Sequence, residues 1–185
     1  MLDAALARGL KFIGFDVDGV LTDNGLFIGR VGDHPAELKR FNALDGVAIW
    51  TLKRSGLRVA LISGRASEAT LLRARELKID DVIQDNHKLP ALEGLLARYD
   101  VTLEQCAFVG DDLADLPVLR RVGLPIAVAN AVPEVQRAAT FVTRTAGGHG
   151  AVREVAEMIL KARGEWDELV ETYVTERTHA ATRSR

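Results

Sequence analysis

The sequence predicts an α/β protein built on a doubly wound, Rossmann-like parallel sheet, and two observations lead to this fold class. Short apolar runs rich in β-branched and aromatic residues recur along the 185-residue chain, as is typical of buried strands. Most of these runs are separated by stretches of about 10–15 residues whose apolar side chains recur at helical spacing. Because parallel strands need crossover connections, this alternation indicates a sheet covered by helices on both faces.

Six apolar runs are predicted to be strands, and six segments are predicted to be helices. The strands, in chain order, are LKFIGF, LRVALI, DVIQ, CAFVG, LPIAVA and TFVT. The helices are expected over residues 47–54, 68–77, 89–98, 113–122, 132–139 and 151–162. We expect Asp45 to cap the first of these helices, because an aspartate side chain can accept a hydrogen bond from a free amide at a helix start.

One segment interrupts the alternation directly after the first strand. Residues 19–43 contain the apolar LFI, the turn-forming GRVGDHP and then ELKRF, which together predict an inserted β-hairpin. At this position in the chain, the hairpin would lie over the carboxyl end of the first strand.

The composition limits the class of protein. With 24 basic and 26 acidic residues, the formal net charge is -2, so a sequence-independent grip on nucleic acid is not expected. The amino-terminal segment mixes acidic and basic residues and contains neither a signal-peptide core nor a membrane span, which favours a soluble, cytoplasmic protein. The single cysteine, Cys106, lies in an apolar run, so we expect a core residue in a reducing compartment.

Polar side chains gather where the predicted strands end. Ligands of open parallel sheets bind beyond the carboxyl ends of the strands, so these side chains should meet at one edge. They are Asp16 and Asp18 after the first strand, Ser63 after the second, Lys88 after the third, and Asp111 and Asp112 after the fourth.

The expected cluster favours a divalent cation and a phosphate group. Carboxylates a few ångströms apart repel each other by several kcal/mol unless a cation lies among them. All the candidate ligands are oxygens, which favours Mg²⁺ over Zn²⁺. The Ser63 hydroxyl, the backbone amides of Gly64 and Arg65, and the Lys88 ammonium group are donors suited to phosphate oxygens.

These groups predict phosphoryl transfer to an aspartate, followed by hydrolysis of the acyl phosphate. Asp16 is the expected nucleophile. Asp18 starts on the same face of the chain, because side chains alternate along a strand with a period of two. We expect Asp18 to protonate the leaving oxygen and later to deprotonate the attacking water.

Four motifs, in this order, resemble those of haloacid dehalogenase-like phosphatases: DVDGVLTD, LISGR, the lysine of NHKLPAL, and GDDLADLP. Two longer stretches, ELKRFNALDGVAIWTLKRSG and TAGGHGAVREVAEMIL, are similar to the phosphatases that act on 3-deoxy-D-manno-octulosonate 8-phosphate. This resemblance covers about residues 11–163. It implies a sheet of the haloacid dehalogenase type and a place in lipopolysaccharide biosynthesis.

The resemblance also implies a role for each site residue. Mg²⁺ would be held by Asp16, the backbone carbonyl of Asp18 and Asp111, while Ser63 and Lys88 bind phosphate and Arg65 meets the substrate carboxylate. Asp112 and Asp115 would support the groups that touch metal and substrate, or cap the helix that follows. Asp23 has equal claims as a turn residue and as a substrate contact. His149 stands where the family usually has arginine.

The segments between the motifs are too short for a separate cap domain. A site without a cap loses electrostatic strength and specificity, so we expect a neighbouring subunit to cover it. The resemblance implies a homotetramer. We expect residues 1–163 to form the phosphatase domain, and residues 164–185 to form a C-terminal helix and a polar tail.

Other functions fit parts of the same pattern. A phosphatase acting on a nine-carbon sugar-acid 9-phosphate would use the same core. A non-catalytic phosphoacceptor domain also combines an acidic pocket, a hydroxyl and a lysine, but lacks a second acid two residues after the acceptor. A binding module that has lost catalysis would not be expected to retain all four motifs.

Overall fold

The computed structural model describes residues 2–180 and contains the strands and helices named here in chain order. The strands are β1 (Phe12–Phe15), β2 (Phe27–Val31), β3 (His34–Leu38), β4 (Arg58–Ser63), β5 (Asp81–Gln84), β6 (Cys106–Gly110), β7 (Leu124–Ala127) and β8 (Phe141–Val142). The helices are α1 (Ala4–Gly9), α2 (Ala43–Arg54), α3 (Glu68–Glu76), α4 (Lys88–Arg98), α5 (Leu116–Leu119), α6 (Pro133–Ala138), α7 (Ala151–Arg163) and α8 (Trp166–Ala180).

The main sheet has the strand order β5-β4-β1-β6-β7-β8, and every neighbouring pair in it is parallel. The α/β prediction is therefore confirmed. Strand β1 lies between β4 and β6, and all four of its residues are buried. This central position explains why β1 is an uninterrupted apolar run, since both faces of a parallel sheet are covered.

The inserted hairpin is confirmed, but its turn is tighter than predicted. Strands β2 and β3 pair antiparallel, with Val31 opposite His34, so only Gly32 and Asp33 connect them. The predicted turn GRVGDHP thus belongs mostly to the two strands. Pro35 is tolerated because this small sheet has only two strands, each with a free edge. Within residues 2–180, the hairpin is the only pair of strands outside the main sheet, and no separate cap domain is present.

The helix predicted over residues 113–122 is shorter than expected. A 3₁₀ turn at Leu113–Asp115 precedes the single turn of α5. The Asp115 carboxylate accepts hydrogen bonds from the backbone amides of Asp111 and Asp112, and Asp112 caps Leu113. Such bonds from side chains to the backbone compete with regular helix formation.

Helix α2 begins before the residue that was predicted to cap it. Its cap is Asn42, whose side-chain oxygen accepts from the Leu44 amide at 2.9 Å. Asp45 lies in the first turn and is buried, and its Oδ1 accepts from the backbone amide of Arg153 at 3.1 Å. Asp45 therefore caps the start of α7, a helix whose own cap residue, Gly150, has no side chain to do so.

The core lies on both faces of the main sheet. Its largest fully buried side chains include Phe12, Phe15 and Phe108. Cys106 is buried among them, as predicted, and burial raises the pKa of its thiol far above the usual range. Helix α7 packs against α1 and α2.

Helix α8 extends further than the polar composition of the C-terminal segment suggests, reaching Ala180. It packs back onto α2, where the Tyr173 ring meets the edge of the Trp50 ring at a centroid distance of 5.0 Å. The remainder of the predicted polar tail, residues 181–185, lies outside the described residues. Within residues 2–180, none of the helices has both the length and the apolar character needed to span a bilayer.

Candidate active site

The carboxyl ends of three adjacent strands bring the predicted site residues together. Asp16 follows β1, Ser63 ends β4 and Asp111 follows β6, and the two outer strands flank β1. The ends line a cavity of about 250 Å³. Its lining consists of Asp16, Asp18, Asn24, Ser63, Gly64, Arg65, Asn86, Lys88, Asp111, Asp112 and Ala114.

Lys88, the first residue of α4, is buried between two carboxylates. Its Nζ lies 2.8 Å from Asp16 Oδ1 and 2.7 Å from Asp115 Oδ1. Burial alone would lower the pKa of Lys88, but the charges of Asp16 and Asp115 outweigh burial and raise it. Lys88 therefore stays charged at neutral pH. It lies in direct contact with Asp16, the nucleophile predicted from the sequence.

Asp115 is fully buried and does not line the cavity. One of its oxygens pairs with Lys88, and the other accepts from the backbone amides of Asp111 at 3.0 Å and Asp112 at 3.3 Å. Both oxygens are thus engaged. The carboxylate fixes Lys88 and the turn that carries Asp111 at the same time.

The acidic cluster fits a divalent cation. Asp16, Asp111 and Asp115 each offer a carboxylate oxygen within 4.8 Å of the others. Asp111 Oδ1 is buried and has no hydrogen-bond partner among the described residues, so one ligand oxygen is available. Oxygen-only donors of this kind suit Mg²⁺.

The electrostatics of the cluster point the same way. Burial, reinforced by Asp115, raises the pKa of Asp16 to about 6. Burial, reinforced by Asp16 and Asp115, raises the pKa of Asp111 to about 8. A cation among these carboxylates would stabilise their charged forms and lower both pKa values again.

The expected phosphate donors line the same cavity as Asp16 and Asp111. Ser63 is buried, and its hydroxyl oxygen accepts from the Arg65 amide at 3.2 Å at the turn after β4. Gly64 is close to Asn86, because a β-carbon at Gly64 would lie 2.8 Å from Asn86 Oδ1. A side chain at Gly64 would therefore narrow the cavity where a phosphate would enter. Asn86 and Asn24 line the cavity but were not singled out from the sequence.

Asp18 has two cationic neighbours, one of which sequence reasoning missed. Lys39 Nζ lies 2.7 Å from Asp18 Oδ1, and Arg65 Nη1 lies 3.7 Å from Oδ2. Arg65 also donates to Glu37 at 2.8 Å. The signal was present in the hairpin: Glu37 and Lys39 alternate with Leu38, and that alternation places the two charged residues on one face of the strand.

The glycine-rich loop before α7 lies directly against the DVDGVLTD motif. A β-carbon at Gly147 would overlap the Gly19 carbonyl oxygen, and one at Gly148 would overlap the backbone at Asp23. Asn130 links the two segments, because it donates to the Gly19 carbonyl at 3.1 Å and accepts from the Gly147 amide at 2.6 Å. The loop thus buttresses the turn that follows the predicted nucleophile.

The remaining candidates lie at the rim. Arg40 pairs with Asp23 at 2.7 Å and donates to His149 Nε2 at 3.2 Å, so these residues form one exposed cluster. Asp112 lines the cavity and is exposed, and its carboxylate is engaged in capping the 3₁₀ turn.

Comparison with known proteins decides the family. The model of the haloacid dehalogenase-like hydrolases matches residues 82–155. The 3-deoxy-D-manno-octulosonate 8-phosphate phosphatase of Escherichia coli is 42% identical over 165 residues, which cover 89% of this chain and 86% of that protein. The chain belongs to this phosphatase family.

Solved structures agree with the sequence match. The crystal structure of the corresponding Moraxella catarrhalis phosphatase, in complex with magnesium, phosphate and 3-deoxy-D-manno-octulosonate (KDO), has a TM-score of 0.87 and 38% identity. It covers 92% of this chain and 97% of its own. The cobalt-bound Haemophilus influenzae enzyme has a TM-score of 0.79 and 38% identity, over 86% of this chain and 92% of its own.

Membership of this family makes the chain a phosphoric monoester hydrolase of the haloacid dehalogenase type. The phosphatase class expected from the four motifs is confirmed, and so is the fold. The cavity at the strand ends is therefore the candidate active site of a phosphatase.

Proposed function

We propose that this phosphatase is Mg²⁺-dependent and hydrolyses 3-deoxy-D-manno-octulosonate 8-phosphate to the free sugar acid and phosphate, through an aspartyl phosphate on Asp16. The observation that carries the proposal is the placement of Lys88 Nζ 2.8 Å from Asp16 Oδ1, at the same strand ends as an Asp111 oxygen that has no hydrogen-bond partner within residues 2–180. The complex of the Moraxella relative with magnesium, phosphate and the sugar acid supports the metal and the substrate.

Three groups of this chain would hold the metal: the carboxylates of Asp16 and Asp111, and the backbone carbonyl of Asp18. Asp111 Oδ1, which no other described residue hydrogen-bonds, supports this assignment, whereas both Asp115 oxygens are engaged by Lys88 and by backbone amides. When bound, Mg²⁺ would neutralise negative charge on the phosphoryl group and on the carboxylates around it.

The phosphate oxygens would be held by the Ser63 hydroxyl, the Gly64 amide and the Lys88 ammonium group. All three line the same cavity as Asp16. Fixed donors aimed at the oxygens where charge develops are the main source of catalysis in phosphoryl transfer.

In the first step, an Asp16 oxygen attacks phosphorus, the bond between phosphorus and the C8 oxygen breaks, and Asp18 gives its proton to the departing oxygen. In the second step, Asp18 takes a proton from water, which attacks phosphorus and releases Asp16 and inorganic phosphate. The proximity of Asp16 and Asp18 in one cavity supports this division of work. Arg65 at the rim would bind the carboxylate of the sugar acid, since its planar guanidinium group matches a carboxylate.

We further propose a homotetramer in which hairpins associate and a neighbouring subunit covers the site. Apolar side chains on the hairpin support this: Phe27 is 66% exposed, Ile28 76%, Val31 73% and Leu38 68%. Phe27 and Leu38 lie opposite each other in the hairpin, and exposed apolar groups of this kind often mark an interface. Residues 1–163 would form the phosphatase domain, with 164–185 as a C-terminal extension, in a cytoplasmic enzyme of lipopolysaccharide synthesis.

Phosphate release from a panel of sugar phosphates, with and without Mg²⁺, tests the proposal. We expect the eight-carbon 8-phosphate to be the best substrate and turnover to require Mg²⁺. The Asp16→Asn variant should lose turnover by at least about 10³-fold while remaining folded, which its circular dichroism spectrum checks. Preference for a nine-carbon 9-phosphate would overturn the substrate, and unchanged turnover of Asp16→Asn would overturn the nucleophile.

A further inference from the structure

The side chain of Lys39 is buried outside the catalytic cavity, although the residue as a whole is only half-buried. Its side chain is 0% exposed, and it does not line the cavity that holds Asp16 and Lys88. A buried ammonium group is costly unless it is paired, so its partners indicate its purpose. The nearest partner is Asp18, at 2.7 Å from Nζ.

The surroundings of Lys39 form a balanced network of four charges. Lys39 lies 3.7 Å from Glu37 as well as 2.7 Å from Asp18, and Arg65 pairs with the same two carboxylates. Two anions therefore face two cations. The network joins the hairpin, the turn after β1 and the turn after β4.

Neutral donors and acceptors of α3 complete this network. Lys39 donates to the Thr70 hydroxyl at 3.4 Å, and the Ser67 hydroxyl donates to Glu37 at 2.6 Å. The hairpin end of the network is thus anchored to the first turn of a helix. Such anchoring fixes the position of Lys39 with respect to the main sheet.

The contact between Lys39 and Asp18 is an ion pair and not an aligned hydrogen bond. Asp18 Oδ1 has no hydrogen-bond partner among the described residues, although Lys39 Nζ is 2.7 Å away. The ammonium group therefore holds the carboxylate mainly by charge. Asp18 itself lines the cavity, with 17% of its side chain exposed.

We propose that Lys39 is a positioning residue for the phosphatase reaction, which holds the Asp18 carboxylate in place for proton transfer to and from the substrate. This inference rests on the proposed function of Asp18. Lys39 itself does not reach the substrate, because its side chain is buried and outside the cavity, and its closest charged contact is Asp18. A displacement of about 1 Å in a catalytic group is enough to lower a rate by about 10²-fold.

A double-mutant cycle, measured with two substrates, tests this inference. The variants are Lys39→Met, Asp18→Asn and the two combined, with Lys53→Met as a control, because Lys53 pairs with Asp80 away from the site. Single turnovers with enzyme in excess report leaving-group release from the sugar-acid 8-phosphate and from p-nitrophenyl phosphate. The sugar alkoxide needs a proton to leave, whereas p-nitrophenolate does not, so only the first substrate depends on a positioned acid.

We expect Lys39→Met to slow leaving-group release from the sugar-acid 8-phosphate by about 10–100-fold, and release from p-nitrophenyl phosphate by less than about threefold. KM should stay nearly unchanged. In the Asp18→Asn background, the same change should cost less than about twofold, because the residue that Lys39 positions is already inactive. Lys53→Met should behave as the wild type.

Equal losses on both substrates, or a full additional loss in the Asp18→Asn background, would overturn the inference. Both results would assign Lys39 to general stability. Should Lys39→Met fail to fold, the double variant, which buries no unpaired charge at this contact, supplies the comparison with Asp18→Asn. A wild type that leaves the sugar phosphate intact but hydrolyses p-nitrophenyl phosphate would count against the proposed substrate. The cycle would then be run on another alkyl phosphate that the enzyme hydrolyses, because its alkoxide also needs a proton to leave.

Discussion

Asp115 and Lys88 form a buried ion pair at the cavity beyond the strand ends, with 2.7 Å between Asp115 Oδ1 and Lys88 Nζ. The side chain of Asp115 is 0% exposed and that of Lys88 3%. Since the second Asp115 oxygen accepts from the backbone at Asp111, one carboxylate joins the lysine to the turn that carries a candidate metal ligand.

Removing this carboxylate should destabilise the protein. We expect Asp115→Ala to lower the free energy of unfolding by about 3–5 kcal/mol, because it deprives Lys88 of one of its two buried partners. Urea unfolding at pH 7 measures the effect. Asp112→Ala is the matched control, since the Asp112 carboxylate is an exposed cap and its loss should cost only about 1 kcal/mol. Equal losses in the two variants would contradict the role assigned to Asp115.

The close approach of the glycine-rich loop to the first motif gives a second prediction. Gly147→Ala should lower the free energy of unfolding by more than about 2 kcal/mol and reduce kcat, because its β-carbon would overlap the Gly19 carbonyl and displace the turn after Asp16. Gly94→Ala is the control, since a β-carbon there meets no described atom within 4 Å in the middle of α4. That change should stabilise the protein by about 0.5–1 kcal/mol. Wild-type stability and kcat in Gly147→Ala would contradict the buttressing role.

Metal binding should depend on pH between 6 and 8. Burial raises the pKa of Asp111 to about 8 and that of Asp16 to about 6, so protons compete with Mg²⁺ for these ligands in the metal-free protein. Affinity should rise with pH up to about 8, by at most about tenfold per pH unit for each proton released. Calorimetry in two buffers of different ionisation enthalpy counts those protons. Affinity that is constant from pH 6 to pH 8 would contradict the raised pKa values.

Ionisation of Asp45 should lower the free energy of unfolding, whereas ionisation of a carboxylate that is paired with a cation usually raises it. Burial raises its pKa from 3.8 to about 6, so the ionised form costs stability, and this cost develops as pH rises from about 4 to about 6. Asp45→Asn removes the charge and keeps an acceptor for the Arg153 amide. Relative to the wild type, the variant should therefore gain up to about 3 kcal/mol between pH 4 and pH 7. Urea unfolding of both proteins across this range measures the difference. A variant whose free energy of unfolding fell relative to the wild type as pH rose would contradict the raised pKa of Asp45.

The sheet and the three strand ends were accessible to sequence reasoning because each depends on local pattern. β1, β4 and β6 are apolar runs, and parallel connectivity alone brings their carboxyl ends to one edge. Asp16, Ser63, Asp111 and Lys88 could therefore be placed in one cavity without knowledge of any side-chain contact.

What the sequence did not reveal depends on how distant segments pack. Asn42 and Asp45 both carry acceptors suited to a helix start. Only the packing of α7 against α2 shows that Asp45 caps α7 and that Asn42 caps α2. Lys39 reads as one more charge on a hairpin strand. Its burial follows from the hairpin folding back onto α3, which no local pattern encodes.

Trapping the covalent intermediate shows directly whether Asp16 is the nucleophile. Wild-type protein is quenched during turnover of the sugar-acid phosphate with Mg²⁺, reduced with borohydride and mapped by mass spectrometry, because reduction converts an aspartyl phosphate to homoserine. We expect homoserine at position 16, and no homoserine there when substrate or Mg²⁺ is left out. Turnover without any reduced residue, or with homoserine at Asp18 or Asp111 instead, would contradict Asp16 as the nucleophile.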